Sequence, residues 1–261
     1  MFSTVVATLL IWWGSTALIL YVATREHLAR RAFWPATAIA VAALLGLLAA
    51  RGSESIWSVW CSFSCGVLLW GWLEVAWLTG RITAPASMQR PCPEGAGEGE
   101  RFLRGIATGL YHELAVLVLG SALLWLCRDA PNAVGAWTFL ILWLMRWSAK
   151  LNLFLGVPNL NEEFFPAHLR FLASYVRRRS MNLLFPVSVC AASAGAALLL
   201  HDAWIAPVGP AQVASGALGV LLALGVLEHW FLVLPMRDAE LWRWALSNSE
   251  EPVATLRAPA R

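Results

Sequence analysis

Charged residues are scarce in this sequence: Asp, Glu, Lys and Arg make up 13% of its 261 residues, against roughly 25% in a soluble globular domain. With 59% of the residues hydrophobic and a mean hydropathy of +0.63, too little polar surface remains to face water around one soluble core. That excludes a soluble enzyme, a disordered tail, a coiled coil and a nucleic-acid module as readings of the whole chain. The motifs of soluble catalysis are also missing: there is no Gly-rich phosphate loop, no Cys-x-x-Cys pair and no Ser nucleophile elbow. No internal repeat is visible, so an inverted-repeat transporter is not supported. No basic segment precedes the first apolar stretch and no small-residue cleavage site follows it, so no removable signal peptide is expected. The five cysteines, Cys61, Cys65, Cys92, Cys127 and Cys190, are odd in number and read as free thiols behaving as small hydrophobes.

What the chain does have is tryptophan, sixteen of them, a residue that collects at membrane interfaces, and long apolar runs. About 20 mainly apolar residues cross a bilayer core. On that rule seven spans are expected, at 4–23, 32–50, 56–79, 102–127, 133–156, 181–200 and 212–234. The fold class is therefore all-α, a polytopic membrane protein, with residues 1–236 forming a single seven-helix membrane domain and 237–261 a tail. Ser188, Ala192 and Ala196 give the sixth span a small-residue face that lets helix backbones approach. Gly105, Gly109 and Gly120 suggest the same in the fourth, and Gly14, Gly46 and Gly66 also read as packing residues.

The basic residues set the orientation. Fifteen of the nineteen Lys and Arg residues fall after spans one, three, five and seven, whereas the opposite side holds Arg51 and Arg128. This predicts an external N-terminus and a cytoplasmic C-terminus. The cytoplasmic loop 81–101 has linker composition, for which little fixed structure is expected. Segment 157–180 looks different: Pro166 can open a helix, Leu169, Leu172 and Val176 follow at helical spacing, and Arg177, Arg178 and Arg179 close it. It is read as a basic amphipathic element at the interface, and residues 241–244 of the tail are expected to dock similarly. His27 and His201 read as solvated.

Ionisable groups inside a bilayer are costly and mark function by default. Given this topology, Glu74, Arg146, Lys150, Glu228 and His229 fall in the cytoplasmic halves of spans three, five and seven. His112 and Glu113 lie two turns in from the same side, and Asn161, Glu162, Glu163 and His168 emerge beside them. Three readings of this convergence stay open. Arg146 and Lys150, one turn apart, could neutralise two of Glu74, Glu113 and Glu228 as an ion-pair network. His112, Glu113, Glu162, His168, Glu228 and His229 are ligand types that suit Fe, Mn or Zn, although two nearby cations oppose a dication. In the third reading, His112 or His229 ligates a tetrapyrrole metal axially, or the carboxylates relay protons.

Three stretches carry a resemblance. Residues 111–115 (Tyr-His-Glu-Leu-Ala), 151–169 (Leu-Asn-Leu-Phe-Leu-Gly-Val-Pro-Asn-Leu-Asn-Glu-Glu-Phe-Phe-Pro-Ala-His-Leu) and 228–231 (Glu-His-Trp-Phe) resemble the PuhE-type family, also called photosynthetic complex assembly protein 2. The likeness covers nearly the whole chain, and the run Asn-Leu-Phe-Leu-Gly-Val-Pro-Asn-x-Asn-Glu is its most specific part. It implies a membrane factor that helps reaction-centre and light-harvesting complexes assemble in bacteria that make bacteriochlorophyll, and it supplies no catalytic residues. The implied partners are the lipid bilayer, reaction-centre or light-harvesting subunits and pigment-biosynthesis proteins. Bacteriochlorophyll, a precursor of it or a metal ion is the candidate cofactor. On this reading Glu74, His112, Glu113, Arg146, Lys150, Asn161, His168, Glu228 and His229 line a binding pocket. The alternative is a membrane metalloenzyme acting on a tetrapyrrole or other lipophilic substrate.

Overall fold

A computed structural model describes residues 1–159 and 165–234. Among these residues the chain is helical, with no strand: α1 (Phe2–Ala23), α2 (Glu26–Ala50), α3 (Ile56–Leu78), α4 (Glu98–Ala107), α5 (Leu110–Cys127), α6 (Val134–Leu155), α7 (Leu184–Ile205) and α8 (Pro210–Phe231). Two 3-10 segments, Ala86–Met88 and Ala167–Tyr175, lie in the loops. Six helices (α1, α2, α3, α5, α7 and α8) are long and apolar enough to cross a membrane. α6 is as long, at 22 residues, but carries Arg146, Ser148, Lys150 and Asn152.

The helix at the centre is α3, which packs against α1, α2, α5, α6 and α8, while α7 leans mainly on α8. In lipid there is no hydrophobic drive between helices, so close backbone approach decides which ones meet. The tightest crossing joins α3 and α6. A Cβ on Gly66 would stand 2.5 Å from the Gly135 carbonyl oxygen, and one on Gly135 would stand 2.5 Å from that of Ser62. Only glycine fits either position. The Gly135 N–H, in the first turn of α6 and so without a partner in its own helix, donates to Ser62 Oγ at 2.9 Å. On α7 the small-residue face meets α8, where a Cβ on Gly195 would touch Leu222 at 3.1 Å. Gly14 has open space around it and is not a packing glycine.

The span expected at 102–127 is two helices. Residues 98–107 carry Glu98, Glu100, Arg101 and Arg104, too much charge to continue an apolar span, and the chain turns at Thr108 and Gly109. α4 is instead pinned at the end of the bundle where α3 and α6 finish. Arg101 donates to the Phe154 carbonyl at 2.9 Å and to that of Tyr175, and a Cβ on Gly105 would collide with the Phe154 ring at 2.4 Å.

Loop 81–101 likewise has fixed contacts that its linker composition does not suggest. The Cys92 N–H donates to Ser174 Oγ at 2.8 Å, and the Tyr175 hydroxyl donates to the Arg90 carbonyl at 2.9 Å. The amphipathic element exists with a 3-10 twist rather than an α-helical one, and buries Leu169 against Ala23 and Leu78. Its basic run does not simply face outward, because Arg177 and Arg179 both pair with Glu98 of α4.

Asparagines finish the helix ends. Asn182 Oδ1 accepts from Leu184 and Phe185 N–H, opening α7, while its Nδ2 donates to the Asn152 and Gly156 carbonyls, closing α6. Asn159 Nδ2 donates to the Phe231 carbonyl at 2.9 Å, closing α8. These bonds gather the ends of α6 and α8 and the start of α7 at one end of the bundle, and the Tyr111 N–H, donating to the Thr83 carbonyl at 2.8 Å, ties the start of α5 to the loop that follows α3. The expected tail, including 241–244, lies outside the described residues.

Candidate functional site

Five of the nine candidate residues meet at that end, on three helices. α3 contributes Glu74, α5 contributes His112 and Glu113 in its first turn, and α6 contributes Arg146 and Lys150 one turn apart. Lys150 Nζ donates to Glu113 Oε1 at 2.7 Å, and the side chains are 24% and 18% exposed. Arg146 Nε lies 3.3 Å from Glu74 Oε1; here the arginine is 40% exposed and the glutamate 13%. Of the acids open to Arg146 and Lys150 in the sequence, Glu74 and Glu113 are the ones they meet.

The two pairs are not alike. Lys150–Glu113 is a closed charge-assisted hydrogen bond. In the other pair, Glu74 Oε1 is buried without any hydrogen bond, so charge attraction alone holds it, and much of the guanidinium remains open.

Trp77 joins the groups, a residue that sequence reasoning passed over. It stands one turn beyond Glu74, so both project from one side of α3. The Arg146 guanidinium lies over its ring at 4.8 Å, a cation–π contact, and the His112 ring stands 5.9 Å away at 41°. Lys150 in turn lies 5.5 Å from the Trp147 ring. Gly109 leaves the space between, since a Cβ there would approach Lys150 Nζ at 3.8 Å and Trp77 Nε1 at 3.9 Å. The available signal was the Glu-x-x-Trp spacing of residues 74–77, which a chain with so many tryptophans hides.

His112 is 4% exposed, and among the described residues its buried Nδ1 has no hydrogen bond. A buried imidazole nitrogen without a partner is unusual, and it leaves His112 a donor or acceptor to offer. His229 is different. It is 1% exposed, with Nδ1 2.8 Å from the Gly225 carbonyl oxygen and Nε2 2.8 Å from Ser148 Oγ. In the tautomer that fits, Nδ1–H donates to the carbonyl and Nε2 accepts from the serine. Both ring nitrogens are therefore engaged, and the residue braces α8 against α6. The Ser148–His229 pair has the spacing of a nucleophile and its base, but the imidazole is enclosed and no carboxylate orients it.

The remaining candidates stand apart. Glu228 is on the exposed side of α8, turned away from His229. His168 sits against Gly80, where a Cβ would meet its Nε2 at 3.2 Å and where φ is +76°. It is exposed, and partial burial lowers its pKa below the usual histidine value. Asn161, Glu162 and Glu163 lie outside the described residues. Among the described residues no three His, Cys, Asp or Glu side chains gather as a metal set. The residue that best fits a metal or pigment ligand is His112, because its Nδ1 is unengaged. All five cysteines are free thiols.

No solved structure matches this chain. A protein of Rhodobacter capsulatus, named as an uncharacterized 30.4 kDa protein in the puhA 5' region, is 38% identical over 260 residues, covering 97% of this chain and 93% of that protein. A family model for proteins of unknown function, DUF3623, matches residues 1–253. With that extent of match, and a likeness to the Rhodobacter protein running nearly end to end, this chain belongs to the DUF3623 family.

Proposed function

We propose that this protein is a multi-pass membrane assembly factor for bacteriochlorophyll-containing photosynthetic complexes, and that it acts by binding pigment or a nascent subunit at the polar end of its bundle. The carrying observation is the composition of the site. Two ion pairs between helices compensate each other's charge beside Trp77, and one enclosed imidazole, His112, keeps an unengaged nitrogen. Such a wall orients and holds a guest, whereas a hydrolytic or metal-assisted reaction calls for a relay or a ligand set. The resemblance to the PuhE-type family and the place of the Rhodobacter relative beside puhA, in a photosynthesis reaction-centre gene region, supply the biological setting.

The proposal includes the orientation. Seven helices cross the bacterial cytoplasmic membrane, with the N-terminus outside and the arginine-rich, site-bearing end toward the cytoplasm. The excess of Arg at that end supports this placement.

The test is a deletion in a phototrophic host, comparing extractable pigment and its intermediates with the near-infrared bands of assembled complexes in intact membranes. Assembly failure predicts mature pigment with diminished assembled bands. Accumulation of one specific precursor would replace this proposal with the metalloenzyme alternative.

A further inference from the structure

The Arg146 face of α6 changes character along its length. Phe139 is buried, Trp143 one turn on is half-buried, and the Arg146 side chain is 40% exposed. Next to α6, α5 touches it only sparsely. On α5, Leu117, one turn from Glu113, is exposed. On α6, Lys150 Nζ lies 5.5 Å from the Trp147 ring. Glu74 is four residues from the end of α3, so this layer sits roughly 6 Å inside the helix end.

A guanidinium 40% exposed at that depth is far from what hydrocarbon tolerates. Among the described residues its carboxylate neighbour is Glu74, 3.3 Å away at Nε and outside hydrogen-bond geometry. By contrast Lys150, four residues on, is closed onto Glu113 at 2.7 Å. The two cations therefore differ in what they have left to offer. Trp77 holds the Arg146 guanidinium at 4.8 Å, and the exposed part of the side chain keeps donors available to an incoming group. Planar donors of this kind match a carboxylate or phosphate.

We infer that Arg146, held by Trp77, is the anchor for the anionic head of an amphiphile, whose apolar tail runs along α5 past Leu117. This rests on the proposed binding role and names the ligand class: a carboxylate or phosphate on a lipophilic body. A free lipophilic acid and a bilayer phospholipid share that chemistry.

The experiment uses the full chain in nanodiscs of zwitterionic lipid, titrated with oleate, oleoyl lysophosphatidic acid and neutral monoolein, with bound ligand read by native mass spectrometry. Wild type should retain oleate, the lysophosphatidate or both over monoolein, and which of the two binds more tightly identifies the head group. Arg146→Gln should weaken anion binding by about tenfold or more, while Arg104→Gln, on exposed α4, should not. Glu74→Gln removes the competing carboxylate and should tighten anion binding, a result that misfolding cannot mimic. Equal retention of monoolein, no retention of either anion, or weaker anion binding in Glu74→Gln would overturn the inference. A deletion phenotype in assembly combined with no anion binding would remove the ligand class alone. Anion binding without an assembly phenotype would remove the assembly role alone.

Discussion

The difference between the two ion pairs can be measured as a coupling energy. In Lys150→Met the Glu113 carboxylate loses a partner at 2.7 Å, with its own side chain only 18% exposed. Arg146 cannot replace that partner, since it is drawn toward Glu74 and held by Trp77. Removing one member of a buried pair costs about 3–5 kcal/mol. The residual exposure here and the position near the helix end bring the expected loss to about 2–3 kcal/mol. Lys150→Met with Glu113→Gln leaves no uncompensated charge and should recover more than half of that loss, a coupling of about 1–2 kcal/mol. For Arg146 and Glu74 the same cycle should give the smaller coupling, because the arginine is 40% exposed and the contact is 3.3 Å.

Reversible unfolding of the purified protein, or the thermal midpoint of the folded peak in size-exclusion chromatography, reads all four corners of each cycle. If the Lys150→Met single and its double fall equally, or if the Arg146–Glu74 coupling is the larger, then the geometry of the pairs does not set their energetics. The contrast drawn between a closed pair and an open arginine would fail with it.

Other perturbations separate bracing from binding and locate the chain in its membrane. Gly135→Val places side-chain carbon against the Ser62 carbonyl, where even a Cβ stands at 2.5 Å. It should cost about 1–3 kcal/mol by overpacking, and protein abundance that stays normal in membranes would contradict the α3–α6 crossing. His229→Ala removes the bridge from Ser148 to the Gly225 carbonyl and should lower stability by about 1–2 kcal/mol, while the bound-ligand spectrum stays as in wild type. A change in ligand with unchanged stability would make His229 part of the site. Reporters fused after residue 95 and near residue 205 should read cytoplasmic and external respectively, and the reverse would invert the proposed orientation. His168 has its pKa lowered by partial burial, so the folded state disfavours its proton. Contact between the Ala167–Tyr175 segment and Gly80 should be full above the usual histidine value and weaken as pH falls below it. Hydrogen exchange of 167–175 that is flat across that range, or that still responds in His168→Gln, would remove His168 as the cause.

The long apolar runs of α1, α2, α3, α7 and α8 were legible because length and composition alone decide them: a lipid-facing helix needs only to be apolar all round. The fourth span was misjudged for the same reason. Averaged from 102 onward, Phe102, Leu103, Ile106 and Ala107 hide Arg104, and Arg101 falls just outside the window. What stops the helix is the turn at Thr108–Gly109, and what holds α4 aside is Arg101 reaching the carbonyls of Phe154 and Tyr175. Those acceptors are more than 50 residues away in the chain, so nothing local announces them. Tyr175 and Ser174 give loop 81–101 its structure in the same manner, which is why its composition suggested a linker.

The site was legible to the level of which helices and which end, because charge in an apolar run is conspicuous and alternating spans fix relative depth. Rotation about each helix axis was not legible, and rotation is what distinguishes the residues. His229 and Glu228 are adjacent in sequence, yet one closes a bond to Ser148 inside the bundle and the other is on its exposed side. His112 and His229 look equivalent as isolated imidazoles in spans. They part because α8 offers its own Gly225 carbonyl to one, while the first turn of α5 has no preceding carbonyl to offer the other. That asymmetry follows from helix geometry: a residue four or more positions into a helix has an upstream carbonyl within reach, and a residue in the first turn does not. His112, third in α5, must therefore find its partner outside its own helix. Its ring stands 5.9 Å from Trp77, the same ring that carries the guanidinium of Arg146.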